Sequence, residues 1–596
     1  MNTSEEFDME TLANTGAEAF ASTDIQLLQI LEDTATLMEL NDENAFKVSA
    51  FRNAVRVLEA ARINVAEAID NGSISRVQGI GKGLQEIIAE YVATGSLKAY
   101  EELRMVIPDG VFEMTSLRGL GAKKVRTLWK ELGVVSIPAL QAACAENRVA
   151  TLKGFGAKSQ ANIALAIQQW RDAQTQFHLH KALDDAATLC VRLLAIPNVE
   201  RAELAGDARR AAETVSELLI VAAAAANTNP KDVAEQFVVV SSFALDSESC
   251  SPERATLRGV SDHGIPTRID VVPISLFGAC LHGATGSAAF VDYVAKCGNG
   301  GGMNITAADE HSFYQALAIP YIPAERREER LGGEDYIPEN PDDITLADVR
   351  GMLHVHSTWS DGRHSIRAMA EAAQKLGCTY IAICDHSKSA VYANGLSEER
   401  VLRQHEEIDR LNDELTREGA TIRVLKGIES DILASGALDY SDAVLEAFDV
   451  VVASVHSRFS MNCEAMTERV VRALQHPATT LLGHPTGRLL LSRTGYELDM
   501  ERVIETAVLH GKVLEINCNP YRLDLSWQNA YTARRAGAKL AINTDAHNAP
   551  DLRYIRLGVM IARKAGLKKS DVINTFSAKD FAIFAQTRQP PQIEAA

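Results

Sequence analysis

Beyond residue 346 the chain repeats one pattern: a short apolar run, then a stretch of helical period. The runs are "GMLHVHS", "YIAICDHS", "IRVLKGIES", "VVVASVHS", "TTLLGHP", "KVLEINCNP" and "LAINTDAH". Between them lie segments such as "HSIRAMAEAAQKLG" and "MERVIETAVLHG", with apolar residues three and four apart. Short buried strands alternating with helices predict parallel β/α units. Seven runs predict a seven-stranded barrel, one strand short of the eight-stranded form. The first 174 residues differ: they carry helical periodicity, as in "NDENAFKVSAFRNAVRVLEA" (41–60), broken by glycine pairs. In between, "LLIVAAAAA" and "FVVVSSF" predict strands of an α+β region.

The expected fold is therefore multidomain, α and α/β. It comprises an acidic, flexible tail (1–24), a helical region with one glycine turn (25–105) and a second with two more (106–174). An α+β region (175–325), a linker (326–345) and the barrel (346–596) follow. The stretch "ERREERLGGEDYIPENPDD" (325–343) is charged and carries Gly and Pro, so it should permit movement between its neighbours.

Composition narrows the setting. A chain of 596 residues exceeds one ordinary core, and 46% hydrophobic with 23% charged residues fits a globular protein. No apolar run approaches the ~20 residues of a membrane helix, and the start "MNTSEEFDMETLANTGAEAF" does not read as a secretory signal. Nine cysteines without a C-x-x-C pair suit a reducing cytoplasm. A net charge of −19 repels phosphate at long range, so any nucleic-acid contact must be local.

Three segments offer such contacts: "VQGIGKGLQEI" (77–87), "LRGLGAKKVRTL" (117–128) and "LKGFGAKSQANI" (152–163). In each, two glycines flank one apolar residue: Gly79 and Gly81, Gly119 and Gly121, Gly154 and Gly156. This spacing makes a tight turn that exposes backbone N–H groups at the next helix N-terminus, where phosphate is attracted. Lys82, Lys123, Lys124 and Lys158 stand beside these ends. The bland alternative is a helical bundle with glycine turns. The matching flanks resemble helix-hairpin-helix motifs, which bind DNA or RNA backbones without reading sequence. With residues 41–60 they resemble the N-terminal lyase-type and fingers regions of family X DNA polymerases. The lysine that performs lyase chemistry in that family falls on Ile87, so that activity is not expected.

The resemblance continues through "ELAGDARRAAETVSELLIV" (203–221), "GIPTRIDVVPISLFGACLHGATGS" (264–287) and "FYQALAIPYIPAERRE" (313–328), where such a polymerase keeps its nucleotidyltransferase-like palm. Gly206, Arg209, Arg210 and Glu213 match the family pattern. The family serine has become Asp207, its paired aspartates fall on Glu217 and Leu219, and its third falls on Arg268. Two Mg²⁺ ions need carboxylates. Leucine cannot supply one and arginine repels the ion, so Mg²⁺ at the palm is doubtful and polymerization is expected to be lost or weak. Asp270, on the same strand face as Arg268, is a candidate for a shifted ligand.

Ten of the fifteen histidines fall between residues 351 and 550. His354, His356, His386, Glu429, His456, His484, Asp545 and His547 end apolar runs, and Asp361 follows the first. A barrel of this class builds its site from strand C-termini. Imidazoles and carboxylates without cysteine suit Zn²⁺, Mn²⁺ or Fe²⁺. Nine candidates exceed what one ion needs. A cluster of ions suits phosphoester hydrolysis, because metals polarize the phosphoryl group, acidify a water and stabilize the leaving oxygen. The order H-V-H-x4-D, D-H-S, G-I-E, S-V-H-S, G-H-P, D-A-H resembles the PHP (polymerase and histidinol phosphatase) domain. "GHPTGRLLLSRTGYELDM" and "EINCNPYRLDL" resemble the PHP domains fused to bacterial family X polymerases. The resemblance implies three divalent ions, Mn²⁺ or Zn²⁺, held by these nine residues with Glu429 bridging two. It assigns catalysis to His354, His356, Glu429 and Asp545.

His364, His405, His476 and His510 read as ordinary surface or core histidines. Asp385 is expected to orient His386. Arg458 and Arg488 follow ligand motifs and could clamp a phosphate, with structural ion pairing as the alternative.

The leading expectation is a DNA-binding, repair-type 3′–5′ exonuclease acting through the PHP domain on gapped or 3′-ended duplex, without sequence specificity. It would be cytoplasmic, at the nucleoid, with no membrane partner. Two alternatives compete. One is a gap-filling polymerase of base excision repair using Glu217 and Asp270. The other is a small-molecule phosphatase whose N-terminal half is a binding module.

Overall fold

The computed structural model describes residues 22–587, apart from 62–64, 78, 118, 241–242, 252, 299–304 and 330–335. Most of the acidic tail and the centre of the charged linker thus lie outside the described residues. The chain divides into two compact units between Gln174 and Thr175.

The first unit is helical around one hydrophobic core. Its three glycine turns share a geometry. A single 3₁₀ turn (Ser73–Arg76, Met114–Ser116 or Val149–Thr151) leads to a glycine with φ of 96°, 80° or 87°. These are the positive-φ positions where a side chain would be strained. The apolar residue that follows turns inward: Ile80 and Leu120 are buried and Phe155 is half-buried. Helices Lys82–Thr94, Ala122–Leu132 and Ala157–Thr175 begin directly after the second glycine. Gly81 and Gly121 cap the first two without a side-chain bond, so no side chain of the cap residue occupies the first-turn amides.

The second unit opens with the strands β1 (Phe177–His178), β2 (Val199–Ala205), β3 (Thr214–Val215), β4 (Leu218–Ala224), β5 (Ala244–Ser251), β6 (Arg254–Val260) and β7 (Pro266–Pro273). Five form a mixed sheet in the order β2-β4-β7-β6-β5, in which only β4 and β7 run parallel. One expected strand is not there. Most of "FVVVSSF" belongs to the helix Pro230–Val240. The Asn229 side chain accepts from Lys231 N at 3.0 Å and starts the helix. Val233, Ala234 and Phe237 then fall on one buried face. Their three- and four-residue spacing overrides the strand preference of the valine run.

The barrel strands are β8 (Gly351–Val355), β9 (Tyr380–Ile383), β10 (Arg423–Asp431), β11 (Val450–Ser454), β12 (Leu481–Leu482), β13 (Val513–Asn517) and β14 (Lys539–Asn543). They pair in sequence order and all in parallel. Helices cover their outer face, which is why the runs are continuously apolar rather than alternating. Several of these helices start at a side-chain cap. Ser365, Ser397, Asn462, Asp499 and Ser526 each accept from the amide three residues on.

The ring closes between β8 and β14 with little backbone pairing. At the rim, Asp545 N donates to His354 O (3.0 Å) and His356 N to Ala546 O (2.9 Å). Below, two buried asparagines complete the seam. Asn543 Oδ1 accepts from Leu353 N (2.9 Å), while Asn574 Nδ2 donates to Gly351 O (2.9 Å) and Ile542 O (2.8 Å). Asn574 Oδ1 accepts from Ile542 N at 2.7 Å.

The linker does not serve as a hinge in its described part. Mixed sheet and barrel share one hydrophobic core, running from Leu179 to Val572. Arg326 and Arg327 are fully buried. Arg326 donates to Arg563 O (2.9 Å) and pairs with Asp343 (2.9 Å), and Arg327 pairs with Glu310. Lys564, also buried, donates to Arg210 O (2.9 Å) and pairs with Glu328 (3.0 Å). Moving these parts would strand buried charges. No helix among the described residues is long and apolar enough to cross a membrane.

The seam makes a testable demand. Asn574→Ala leaves three buried backbone groups unpaired and is expected to cost on the order of 3 kcal/mol. A chemical-denaturation midpoint equal to wild type would show that the seam holds without it.

Candidate metal centre

The ligand-type side chains sit at the C-terminal ends of the barrel strands. Seven come from within or just after β8–β12, and Asp545 and His547 follow β14. All nine residues singled out from the sequence converge there. Three groups bring ligand atoms within 4.8 Å of one another: His356, Asp361, His386 and His547; His354, His356 and Asp545; His386, Glu429 and His456.

Glu429 is the hub. Its Oε1 lies 2.9 Å from His484 Nε2, 3.2 Å from His456 Nε2 and 3.5 Å from His354 Nε2. Its Oε2 lies 3.0 Å from His386 Nδ1 and 3.6 Å from His356 Nε2. Asp545 stands 3.0 Å from His356 Nε2, and Asp361 stands 3.4 Å from His547 Nε2. Asp361 and His547 are partly exposed, whereas His354, His356, Glu429, His484 and Asp545 are buried.

Surrounding groups fix the rings. Glu515 accepts from His354 Nδ1 (2.8 Å) and from the backbone N of His484 (2.6 Å). Asp431 pairs with His456 Nδ1 at 2.5 Å. In each case the other ring nitrogen faces Glu429. His484 (φ 26°) and Asp545 (φ 51°) hold left-handed backbone conformations, strain of the kind that clusters at functional sites. Asp385 has a different job from the one expected. It accepts from Ser357 N (2.8 Å), Ser357 Oγ (2.6 Å), Ser360 Oγ (2.5 Å) and Gln404 Nε2 (2.6 Å). It therefore shapes the loop that presents Asp361, rather than the ring of His386.

The electrostatics are those of a site built for cations. Burial opposes charge throughout. Even so, the surrounding histidines hold Glu429 and Asp545 well below the usual carboxylate range. Burial lowers the pKa of His456, but Glu429 and Asp431 outweigh it and push it up to about 10. Asp361 and Asp545 likewise bring His547 to about 9 against burial. Burial and the neighbouring His547 and His386 depress His356 to about 3. The buried atoms His354 Nε2, His356 Nδ1, His386 Nδ1, His484 Nδ1 and Glu429 Oε2 have no hydrogen-bond partner. Unsatisfied buried donors and acceptors this dense are costly unless something binds them. The residues fit divalent cations.

The two arginines named as phosphate clamps part company. Arg488 donates to Arg522 O (3.0 Å) and Leu523 O and pairs with Glu213 (2.6 Å). Its guanidinium braces the 522–523 loop against Glu213, the structural ion pairing that is the alternative to a clamp. Arg458 is exposed, with φ of 57°. Arg522 reaches the cluster, its Nε 3.7 Å from Asp545 Oδ2. It stands inside "EINCNPYRLDL", but nothing in the stretch marks its direction. Asp431 and Tyr392 were likewise silent in the sequence. His364, His405, His476 and His510 do not join the three groups.

The palm residues are engaged with one another. Asp207 pairs with Arg210, and Glu217 lies 3.5 Å from Arg258. Leu219 packs over Gly206, where an added Cβ would come within 2.8 Å of it. Asp270 is buried between Arg254 (Nε 3.1 Å), Arg268 (3.2 Å) and Thr256 Oγ1 (2.7 Å). It sits opposite Val221, four residues beyond Glu217, a strand distance of roughly 13 Å. Glu217 and Asp270 therefore do not converge, and among the described residues every ligand group of three or more lies in the barrel.

Known proteins resemble each part. A helix-hairpin-helix domain profile matches residues 24–97, a SAM-like helix-hairpin-helix tandem profile matches 111–169, and a PHP domain profile matches 352–518. The DNA polymerase/3′-5′ exonuclease PolX of Bacillus subtilis (strain 168) is 37% identical over 574 residues, covering 94% of this chain and 98% of that protein. A probable phosphatase of Thermoanaerobacter sp. (strain X514) is 29% identical over 164 residues, covering 26% of this chain and 64% of that protein. A probable phosphatase of Syntrophotalea carbinolica (strain DSM 2380 / NBRC 103641 / GraBd1) is 25% identical over 232 residues, covering 37% of this chain and 90% of that protein. A PHP domain implies use of divalent metal, and the helix-hairpin-helix matches indicate DNA binding.

Protons and metal compete here. With pKa values raised to about 10 and 9, His456 and His547 are protonated at pH 7 until a cation displaces the protons. Mn²⁺ or Zn²⁺ binding at pH 7 is expected to release protons, seen as a buffer-dependent calorimetric enthalpy. Affinity should weaken about tenfold per pH unit of acidification for each proton displaced. In metal-free protein the raised values add stability that is full below the ordinary pKa of 6.5 and is lost as pH climbs through 9 to 10. A melting temperature flat across that window would contradict these shifts.

Proposed function

Because this chain belongs to the PolX family, whose Bacillus subtilis member is named a DNA polymerase/3′-5′ exonuclease, we propose that it is a DNA-binding 3′–5′ exonuclease. Its work is done by the PHP barrel with divalent metal, and its polymerase activity is lost or weak. The observation that carries this reading is a contrast within one unit. Five histidines lie within 3.6 Å of Glu429 at the barrel rim and Asp361, Asp545 and His547 join the same cluster, while the palm carboxylate positions hold a leucine, an arginine and one glutamate paired with an arginine.

His354, His356, Asp361, His386, Glu429, His456, His484, Asp545 and His547 would hold three ions, Mn²⁺ or Zn²⁺, with Glu429 shared between two. Such ions, when bound, polarize a phosphoryl group and acidify a water. The chain's own residues supply the rest. Glu515 and Asp431 set the ring orientation of His354 and His456, leaving one nitrogen of each for the centre. Asp385 fixes the loop that carries Asp361. Arg522, beside Asp545 and braced through Arg488, is the group suited to a substrate phosphate. In the first unit, Gly81, Gly119, Gly121, Gly154 and Gly156, with open space at their Cβ positions, and the exposed Lys82, Lys123, Lys124 and Lys158 suit a DNA backbone without sequence preference. Gapped or 3′-ended duplex is the substrate these parts suit together.

The test is a 3′-recessed, end-labelled gapped duplex with Mn²⁺. Wild type should shorten the 3′ end. His354→Ala with His356→Ala should abolish shortening, and Lys123→Glu with Lys124→Glu should raise KM on DNA while sparing a small phosphodiester. The same duplex with dNTPs should not be extended. Absence of shortening by wild type, or shortening that survives the histidine pair, would reject the proposal.

A further inference from the structure

The loop from Ser387 to Leu396 stands over the metal centre and is tied down at every point but its tip. Its ends pair with each other, and Leu396 N donates to His386 O at 2.8 Å. Ser389 N donates to Asp439 (2.7 Å) and Ser389 Oγ to Asp431 (2.7 Å), the carboxylate that holds His456. Gly395 is so close to Ser387 O that a Cβ there would lie 1.9 Å from it. Asn394 donates to Trp359 O (3.2 Å) and Ser360 O (3.3 Å), on the loop that carries Asp361. Arg400 then holds Asn394 O at 2.8 Å. Ala390 and Ala393 point inward and are buried.

Between them, Val391 and Tyr392 point outward, 82% and 72% exposed. Two large apolar side chains on a tethered loop present a surface rather than drift as a loose tip. The Tyr392 ring centroid lies 6.2 Å from that of His386 and 6.5 Å from that of His456. A ring so close to the site of phosphodiester cleavage is within reach of the base belonging to the nucleotide being removed. Aromatic faces take any base, because stacking needs only a π surface.

We infer that Tyr392, with Val391 beside it, is the stacking platform for the 3′-terminal nucleobase and sets the enzyme's preference for nucleotide ends over bare phosphoesters. This rests on the exonuclease reading. It concerns recognition of the leaving nucleotide, not the chemistry of cleavage.

Paired substrates test it. One duplex ends in a normal 3′ nucleotide, and its twin ends in a tetrahydrofuran residue that lacks the base. Wild type should remove the base-bearing residue with a kcat/KM about tenfold higher, largely through KM. Tyr392→Ala should erase most of that ratio, and Tyr392→Phe should keep it. An undiminished ratio in Tyr392→Ala overturns the inference. So does an equal loss on both ends, which marks a structural role, or a loss in Tyr392→Phe as large as in Tyr392→Ala, which marks the hydroxyl. If wild type shortens neither end, the exonuclease reading has failed and this inference falls with it. If it shortens both ends equally, only the stacking platform has failed.

Discussion

The candidate centre depends on how the barrel closes. His354 lies on β8 and His356 just after it, and Asp545 and His547 follow β14, about 190 positions away in the chain. Only the seam between these strands brings the two ends of the pattern into one cluster. The seam is made by two rim backbone bonds and by the side chains of Asn543 and Asn574. Asn543 also donates to Glu515, which orients His354. Closure and ligand geometry are therefore one network. A buried amide is satisfied only if the ring is shut, and the histidine faces inward only if that amide is in place.

The same economy appears in the mixed sheet. The matching residues of the polymerase pattern survive, but their charges are used for packing. Arg209 contacts Glu310 (2.8 Å) and Arg210 contacts Asp207 and Glu328, while Glu213 holds Arg488. Arg268 places a fixed cation 3.2 Å from Asp270, so this carboxylate already has a positive partner. Glu213 now braces a barrel loop. A region that looks like a catalytic palm thus supports the rim of its neighbour, and the buried Arg326 and Lys564 lock the two together.

Much of the architecture was legible because its signals are local. Apolar runs ending in histidine or aspartate announce strands with a common functional end. Glycine pairs announce turns, since Gly79, Gly119 and Gly154 take a φ that other residues resist. The misreadings share a cause. The apolar run "FVVVSSF" suits a strand, while the helix is decided upstream at Asn229. The linker's charge, Gly and Pro suggest a movable segment, but Arg326 is held by a carbonyl 237 positions away and Arg327 by a carboxylate 17 positions away. A sequence displays which groups are charged and conceals which are paired.

The sequence by itself determined the seven β/α units, the three glycine turns and the identity of the nine side chains that converge, because strand period, turn conformation and ligand chemistry are properties of neighbouring residues. Tertiary structure alone decided that Glu429 lies at the hub, that Asp385 shapes a loop and that Arg488 is a brace. It also decided that Arg522 faces Asp545, and that Glu217 and Asp270 stand apart. Those outcomes depend on the direction of a side chain and on the charge it meets after the ring has closed. Direction and partner are set by packing between segments that are remote in the chain.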